Sequence, residues 1–299
     1  MSQGPCYRSG DILSSSQGKD MNIEAQIRKA QALRKMHVRP NILVLPNAWD
    51  AVTALVFARL GFAAIATTSG GVAWSLGYPD GEHAPLSEVV AASGRIARAV
   101  DLPVTVDIEA GYGATPEAVA DTVRALIEAG AVGVNLEDGL GASGALREVE
   151  ASVARIRAAH DAAAVIGVPI VINARTDTYL LKYGTSDAER FDETVRRAKA
   201  YLAAGADCIY PIGLADAPVI EALVKMLDAP INVAARSGMP SVTDLVRLGV
   251  ARVSTATRFA TLALSAVEHA AKELRSSGRF ECLDAALTHA DVQRLFDAA

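Results

Sequence analysis

Short apolar segments alternate with longer segments of helical periodicity along most of the chain. From residue 21 onward each apolar segment is followed by an Ala-, Arg- and Glu-rich stretch with helical spacing, and Gly or Pro punctuates the pattern. It predicts strands at 42–46, 63–68, 103–108, 132–136, 169–174, 207–211, 230–233 and 251–254. It predicts helices near 50–60, 86–100, 115–129, 148–163, 187–204, 215–227, 241–248 and 256–275, with a further helical pattern at 281–297.

This alternation predicts an α/β fold in which eight parallel strands, each followed by a helix, form a (β/α)8 TIM barrel with extra C-terminal helices. Gly acts as a helix C-cap shortly before three of the predicted strands, in Ala-Gly-Ala at 129–131 and 204–206 and in Leu-Gly-Val at 248–250. An open doubly wound sheet is the alternative. Its G-x-G-x-x-G fingerprint is absent after the first predicted strand, so the barrel is favoured.

The domain organisation follows from chain length and from the N-terminal composition. Residues 1–20 are polar, Ser/Gly-rich and aperiodic, and they lack the apolar centre of a signal peptide, so we expect a disordered tail. Barrels of about 250 residues are routinely single domains. We therefore expect 21–299 to form one catalytic barrel domain with a helical arm from about residue 256.

Composition and charge exclude several classes of protein. The 299 residues are 51% hydrophobic with a net charge of −5, which is typical of a globular chain rather than a disordered one. The absence of a basic block argues against nucleic acid or anionic membrane as a partner, and no apolar run approaches the ~20 residues of a membrane helix. The three cysteines are odd in number and far apart, which favours a reducing, cytoplasmic location.

Polar residues share the inward face of several predicted strands. Alternate residues of a barrel strand point inward, and chemistry collects at the carboxyl ends of the strands. The predicted inward positions are Ile65, Thr67 and Ser69; Thr105, Asp107 and Glu109; Gly133, Asn135 and Glu137; and Val171, Asn173 and Arg175. One mouth of the barrel should therefore gather Ser69, Asp107, Glu109, Glu137 and Arg175.

Three carboxylates at one mouth are costly to ionise without a compensating cation. Oxygen ligands in an incomplete cage that water completes suit Mg²⁺, with Mn²⁺ as a substitute. The alternative is that these acids are structural, held in salt bridges or in surface loops. Zinc is not expected, because the histidines at 37, 83, 160, 269 and 289 all fall in predicted helices, loops or helix ends.

Four motifs resemble those of the isocitrate lyase/phosphoenolpyruvate mutase superfamily. The segment 67–80 (TTSGGVAWSLGYPD) is similar to its second-strand loop, and 107–113 (DIEAGYG) to its D-x-[DE]-x-G-[YF]-G. Residues 136–138 (LED) are similar to its I-E-D and 174–177 (ARTD) to its A-R-T-D. The order and spacing match from about residue 21 to 275, and the combination is specific where each single motif is not.

The resemblance implies a magnesium-dependent barrel that acts on small 2-oxo or 2-hydroxy carboxylates through an enolate. By match to the motifs, Asp107 holds the metal, Glu109 and Glu137 bind it directly or through water, and Arg175 adds a second positive charge. Ser69, Gly70 and Gly71 resemble the clamp for the substrate carboxylate, Asp80 an acid of a mobile loop, and Asn232 an Asn of strand seven. A plain turn at Gly70-Gly71 and a surface turn at Asp80 are the alternatives.

The departures from the family matter as much as the matches. Isocitrate-type lyases carry a Lys/Arg-x-Cys-Gly-His loop after I-E-D, whereas 139–145 (GLGASGA) contains no Cys, Lys or His, nor the Lys and Asn of a phosphonomutase. The chain therefore resembles the 2-methylisocitrate lyase-like branch of the superfamily without its Lys-x-Cys-Gly-His loop. We expect a mobile lid at 139–147 without an acid/base side chain. Tyr210 occupies an inward position where the lyases have a nearby Glu, and it is either a proton donor or a core aromatic. Retro-aldol cleavage or decarboxylation of a small oxo acid is therefore favoured over isocitrate cleavage.

Other functions are weighed beside this one. A P–C bond mutase or hydrolase for a phosphonopyruvate-like substrate is the first alternative, and a non-catalytic anion-binding barrel is another. A Schiff-base aldolase needs a Lys at a strand end, and none of the seven lysines lies on a predicted strand. A phosphate site at 235–238 (ARSG) after the seventh strand has weak support.

The resemblance also implies an assembly. Members of the superfamily form dimers and tetramers that exchange C-terminal helices, and the Ala-rich segment 256–275 followed by 281–297 is consistent with such an arm. We therefore expect a homodimer or homotetramer with a small anionic substrate as its other partner.

Overall fold

The computed structural model describes residues 23–284 and 287–297, so the predicted tail at 1–20 lies outside the described residues. The strands are β1 Leu43–Leu45, β2 Asn47–Ala48, β3 Ile65–Thr67, β4 Val104–Asp107, β5 Gly133–Glu137, β6 Val171–Thr176, β7 Cys208–Pro211, β8 Asn232–Ala234 and β9 Arg252–Ser254. The helices are α1 Ile23–Lys35, α2 Ala51–Arg59, α3 Ser69–Leu76, α4 Leu86–Ala99, α5 Pro116–Glu128, α6 Val149–Ile166, α7 Asp187–Ala203, α8 Ala217–Leu227, α9 Val242–Arg247, α10 Arg258–Ser277 and α11 His289–Gln293.

The strands are parallel and follow the order of a barrel. One group pairs in the order β2-β3-β4-β5-β6-β7 and the other in the order β1-β9-β8. A parallel bridge between Ile209 and Ile231 joins β7 to the start of β8. On the other side, β1 and β2 are consecutive pieces of one extended segment, interrupted at Pro46, which has no N–H to donate to the ladder. The predicted α/β barrel of parallel strands is confirmed, and each predicted strand overlaps an observed one.

Two helices were missed by the sequence pattern. α1 lies across the amino ends of the strands, where Gln26 Nε2 donates to the carbonyls of Ile127 (2.7 Å) and Ala131 (2.9 Å). Arg34 of α1 reaches the carbonyl of Ile170 at 2.9 Å. α3 begins directly after β3, and its two glycines gave it a poor helical signal. The two helices close opposite ends of the structure, α1 the floor and α3 one side of the mouth.

The side-chain contacts of the strands show which residues point into the barrel and which point toward the surrounding helices. Val104, Val106 and Ile172 are buried in the apolar core with the surrounding helices. Asn173 Nδ2 donates to Asn135 Oδ1 at 2.9 Å, and Arg252 Nη2 reaches the same oxygen at 3.2 Å, so side chains of β5, β6 and β9 meet inside the barrel.

The C-terminal arm is mostly exposed. Of α10, Ala260 alone is buried among the residues described, while Leu262, Leu264 and Val267 are each more than half exposed. The predicted pattern at 281–297 gives a short 3₁₀ turn, Glu281–Leu283, and the short α11 rather than one long helix. In the part of the chain that the structure covers, no helix is long and apolar enough to cross a membrane.

Candidate active site

The mouth of the barrel is built at the ends of β4, β5 and β6. The register pairs Asp107 with Asn135 and Glu137 with Arg175, which places Asp107, Glu137 and Arg175 at neighbouring strand ends. This is the convergence that the alternation of the sequence predicted. Each side chain has a different local environment, and those environments determine what the site can do.

Asp107 is the last residue of β4, and its backbone N–H donates to Thr67 Oγ1 at 3.0 Å. Its carboxylate Oδ1 accepts the Glu109 N–H at 3.3 Å, and the backbone N–H of Ser69 also donates to it. Burial raises the pKa of Asp107 above its ordinary value, while the charge of Arg175 opposes that rise and the charge of Asp80 adds to it. The Asp107 carboxylate is therefore buried without enough nearby positive charge to offset its burial.

Glu109 reaches the mouth by a different route from the one predicted. β4 ends at Asp107, and Glu109 has φ +52°, so it does not continue the strand alternation. Its buried carboxylate accepts the Tyr112 hydroxyl at 2.9 Å and the Glu82 N–H at 2.7 Å. Burial, followed by the charge of Asp80, raises the pKa of Glu109 to about 7. A left-handed turn, rather than strand periodicity, brings this acid to the site.

Asp80 lies at the surface of the loop between α3 and α4, and its carboxylate points over the first turn of α3. A Cβ at Gly70 would lie 3.0 Å from Asp80 Oδ2. Ser69, Gly70 and Gly71 are the first three residues of α3, so the plain-turn interpretation of the glycines is wrong. Gly71 is required sterically, because a Cβ there would lie 2.6 Å from Thr68 Cγ2 and 2.8 Å from Trp49 Cβ.

Arg175 is held between two carboxylates. Its Nη1 lies 2.6 Å from Glu137 Oε2, and its Nε and Nη2 donate to Asp177 Oδ1 and Oδ2 at 2.6 and 2.9 Å. Burial alone would lower the pKa of Arg175, but Glu137 and Asp177 raise it, so the guanidinium stays charged. Burial raises the pKa of Glu137 to about 8 against the opposing effect of Arg175. The bidentate Asp177 pair fixes the plane of the guanidinium.

A second layer of buried charge supports this arrangement. Asp138 Oδ1 accepts the Asp177 N–H at 2.9 Å, while its Oδ2 accepts the Tyr201 hydroxyl at 2.7 Å and Arg197 Nη1 at 3.0 Å. The sequence motifs contained Asp138 and Asp177 but gave no reason to assign them roles. Tyr112 lies in the motif at 107–113 but was given no role, and Glu82 was missed because no local pattern marked it; both contact Glu109, and the Tyr112 N–H donates to Glu82.

Tyr210 and Asn232 lie on β7 and β8 and are buried inside the barrel. Asn232 Nδ2 donates to Ser254 Oγ at 3.2 Å. Burial is the main cause that raises the pKa of Tyr210 to about 12, opposed by Arg175 and by a hydrogen bond from Ser254. The Tyr210 hydroxyl is protonated at neutral pH. It lies close enough to Arg175 and Asp107 for both charges to act on its pKa.

The loop from Gly139 to Arg147 stands over the Asp177 pair. A Gly139–Leu146 bridge and a Leu140 N–H bond to the Ala145 carbonyl at 2.9 Å give it a hairpin-like base. A Cβ at Gly139 would lie 2.7 Å from Asp177 Oδ2, so the loop begins in contact with the carboxylate that holds Arg175. Closure of this loop as a lid stays a prediction.

The donor set fits Mg²⁺ in part. Across residues 23–284 and 287–297, no three His, Cys, Asp or Glu side chains have the geometry of a ready-made metal site. Glu137 is paired with Arg175, and Glu109 accepts bonds from Tyr112 and Glu82. Among the residues that the structure describes, Asp107 accepts hydrogen bonds from backbone N–H groups alone. Asp107 thus suits direct coordination, and Glu109 and Glu137 suit contacts through water, which Mg²⁺ commonly retains.

Comparison with known proteins agrees with the motifs. The model of the phosphoenolpyruvate phosphomutase family matches residues 33–275. The 2-methylisocitrate lyase of Escherichia coli (strain K12) is 34% identical over 67% of this chain and 68% of its own.

Solved structures extend the likeness to the fold. A Burkholderia cenocepacia protein described as a lyase/mutase has a TM-score of 0.84 at 40% identity, over 91% of this chain and 97% of that one. The structure of 2,3-dimethylmalate lyase, a PEP mutase/isocitrate lyase superfamily member, has a TM-score of 0.79 at 27% identity, over 90% of this chain and 94% of that one. The structure of phosphonopyruvate hydrolase in complex with oxalate and Mg²⁺ has a TM-score of 0.79 at 25% identity, over 90% of this chain and 95% of that one. The resemblance inferred from the motifs is confirmed: the chain belongs to the phosphoenolpyruvate phosphomutase family and is an enzyme of the isocitrate lyase/phosphoenolpyruvate mutase type.

Proposed function

We propose that the protein is a Mg²⁺-dependent lyase that cleaves a carbon–carbon bond of a small 2-oxo or 2-hydroxy carboxylate through an enolate, by retro-aldol cleavage or decarboxylation. The observation that supports this most directly is the position of the buried Asp107 carboxylate at the barrel mouth, where the charge of Arg175 acts on it although Arg175 is paired with Glu137 and Asp177. Asp107 lacks positive charge, and the nearby guanidinium is buried and permanently charged. A cation and a 2-oxo acid would complete the charge balance of that site.

The residues around Asp107 and Arg175 have separate roles in the proposal. Asp107 would hold Mg²⁺ directly, with Glu109 and Glu137 behind water, and Mn²⁺ would substitute. When bound, the cation supplies a Lewis-acidic charge beside the oxygen on which negative charge develops. Arg175 stabilises the same developing charge from the end of β6, because Asp177 holds its guanidinium in a fixed plane.

The first turn of α3 would bind the substrate carboxylate. The first N–H groups of a helix have no intrahelical partner, and in α3 that of Ser69 already donates to Asp107. The N–H groups of Gly70 and Gly71 are therefore suited to an anion, and glycine permits its close approach. In this arrangement Asn232 would contact the substrate from β8, and Asp80 would close the site from the α3 side.

Tyr210 is the proposed proton donor. The loop at 139–147 carries no acid/base side chain, and Tyr210 carries a hydroxyl proton at neutral pH, with a pKa that burial raises from 10 to about 12. In a retro-aldol or decarboxylation step the enolate carbon must receive a proton, and Tyr210 lies in the electrostatic range of Asp107 and Arg175. Tyr210→Phe should lower kcat while leaving Mg²⁺ affinity unchanged, and an unaltered kcat would return Tyr210 to a packing role.

Cleavage of a P–C bond is the second candidate function. It is favoured by the likeness to phosphonopyruvate hydrolase at a TM-score of 0.79. The loop at 139–145 argues against it, since it lacks the Lys and Asn expected of a phosphonomutase. A non-catalytic barrel would not need the unbalanced carboxylate of Asp107.

An activity panel distinguishes these functions. Small 2-oxo and 2-hydroxy diacids and phosphonopyruvate are incubated with the protein and Mg²⁺, and oxo-acid and phosphate release are measured. We expect oxo-acid release from a diacid, its loss in EDTA, and a loss of at least about a hundredfold in Asp107→Asn. Asp121→Asn, which changes an exposed aspartate on α5, is the matched control. Phosphate release from phosphonopyruvate alone would select P–C chemistry, and full activity in EDTA would refute the metal assignment.

We further propose that a second copy of the chain covers α10. Leu264 and Val267 are exposed on this helix, and an isolated helix with such residues is costly in water. The mass in solution should be that of a dimer or tetramer. Leu264→Glu with Val267→Glu should shift it toward the monomer, whereas Lys272→Glu on the same helix should not. A wild-type monomer would contradict the proposal.

A further inference from the structure

A cavity of about 680 Å³ lies between α7 and α8, beneath the loops that follow β6, β7 and β8. Its lining includes Tyr179, Arg190, Phe191, Leu214, Val219 and Arg236. None of Ser69, Asp107, Glu109, Glu137 or Arg175 lines it. The cavity is therefore separate from the carboxylate cluster at the mouth, although it lies on the same end of the barrel.

Hydrogen-bond donors from three different elements line this cavity. Arg190 of α7 lies over the ring of Tyr179, with its guanidinium carbon 6.0 Å from the ring centroid. Arg190 Nε is buried and has no hydrogen-bond partner among the described residues. In the same part of the chain, neither the Tyr179 hydroxyl nor the Arg236 guanidinium has a hydrogen-bond or ion-pair partner. These donors line the cavity without a bond to either of the two carboxylates, Asp187 and Asp216, that also line it.

The two acids of the cavity already have partners. Asp187 pairs with Arg190 Nη1, and its own side chain is almost fully exposed. Asp216 is the N-cap of α8 and accepts the Val219 N–H at 3.1 Å. Both acids are exposed, so water can satisfy the remaining acceptor sites of their carboxylates. The groups that a ligand can satisfy in the cavity are the unpaired donors, led by the exposed guanidinium of Arg236. A ligand that satisfies them must bring acceptors, and a negative charge suits it best.

The remaining walls are apolar. Phe191, Leu214 and Val219 supply aromatic and aliphatic surface, and Pro218 and Ala222 extend it. Cavities that bind small organic ligands are typically a few hundred to a thousand Å³, mostly apolar, with a few polar groups that orient the ligand. An inorganic anion would leave this apolar surface in contact with water, so the lining favours an anion with an apolar body.

We propose that this cavity is a second ligand site, which binds a small organic carboxylate with an aromatic or branched apolar body. The carboxylate bonds Arg236 and the Tyr179 hydroxyl, and the apolar body packs on Phe191, Leu214 and Val219. Since Tyr179 lies two residues beyond Asp177, the site adjoins the segment that holds Arg175 without sharing residues with it. The proposal does not depend on which bond the enzyme cleaves.

Calorimetric titration with four probes tests the site. Phenylacetate and 3-methylbutanoate match the proposed class, and phenylacetamide and 3-methylbutanamide are their neutral counterparts. We expect at least one carboxylate to bind, with its amide about tenfold weaker, since one charge-assisted hydrogen bond contributes on that scale. Failure of both carboxylates to bind, or equal binding of the amides, would overturn the proposal.

Variants and competition locate the binding. Arg236→Gln should weaken the carboxylate about tenfold and Tyr179→Phe several-fold, since each removes one donor. Arg247→Gln, an exposed arginine on α9, should leave it unchanged. Saturating Mg²⁺ with oxalate, which mimics a 2-oxo acid at the mouth, should not displace the probe. Displacement by oxalate, or an equal effect of Arg236→Gln and Arg247→Gln, would assign the binding elsewhere and refute the second site.

Discussion

His37 makes the stability of this barrel sensitive to mild acid. It is buried at the C-terminal end of α1, and its Nδ1 lies 2.8 Å from the Leu33 carbonyl oxygen, which can only accept, so Nδ1 carries the proton. Its Nε2 is buried and has no hydrogen-bond partner among the described residues. Burial lowers its pKa to about 4, the charges of Arg252 and Arg34 add to that effect, and the Leu33 bond opposes it.

The direction and size of the pH effect on stability follow from the difference between the pKa of His37 in the folded protein and in the unfolded chain. The folded protein keeps His37 neutral down to about pH 4, whereas the unfolded chain takes up the proton near pH 6.5. The stabilising contribution is therefore complete above pH 6.5 and is lost as the pH falls from 6.5 to 4. At 1.36 kcal/mol per pKa unit, the full loss is about 3 kcal/mol, and at pH 5 it is already about 2 kcal/mol. That is a large fraction of the 5–15 kcal/mol typical of a domain.

Urea unfolding at pH 7 and pH 5 measures this loss. The difference between the two pH values should be about 2 kcal/mol smaller in His37→Gln than in the wild-type protein, because other titrating groups cancel in the comparison. His160→Gln, a half-exposed histidine on α6, is the matched control and should retain the wild-type difference. Equal pH dependence of the wild-type protein and His37→Gln would refute the reasoning.

Three further predictions concern the mouth and its support. Arg175→Lys keeps the charge but loses the planar guanidinium that Asp177 and Glu137 hold. The kcat should therefore fall, while the Mg²⁺ affinity measured by calorimetry should stay unchanged. An unchanged kcat would mean that Arg175 has a structural role. Gly71→Ala should lower the free energy of unfolding by about 1–3 kcal/mol through overpacking. Gly94→Ala, whose Cβ would meet chiefly the flexible end of Arg98, should be neutral or slightly stabilising, and equal effects would contradict the steric argument. In the loop at 139–147, Ser143→Ala should change kcat little. Gly141→Pro, at a residue with φ +55°, should lower kcat without a matching loss of Mg²⁺ binding. A large loss of kcat in Ser143→Ala would mean that this hydroxyl has a chemical role.

The sequence by itself determined the barrel and the neighbours at its mouth. The strands are short, apolar and regularly separated by helices, and each such unit is a local feature that periodicity reveals. Once the strands are parallel and consecutive, strict alternation decides which residues point inward. This is why Asp107, Glu137 and Arg175 could be placed at adjacent strand ends, as the register of β4, β5 and β6 confirms.

Only the tertiary structure decided how these groups interact. Glu109 reaches the site through a left-handed backbone at φ +52°, which lies outside strand periodicity. Asp177 holds Arg175, and Asp138 of the preceding strand end holds Asp177, through contacts that depend on side-chain direction. α3 contains Gly71 because Trp49 and Thr68 leave no space there for a Cβ. Alternation orders residues along one strand, but distances and charges between strand ends arise from packing among segments far apart in the chain, which local periodicity does not encode.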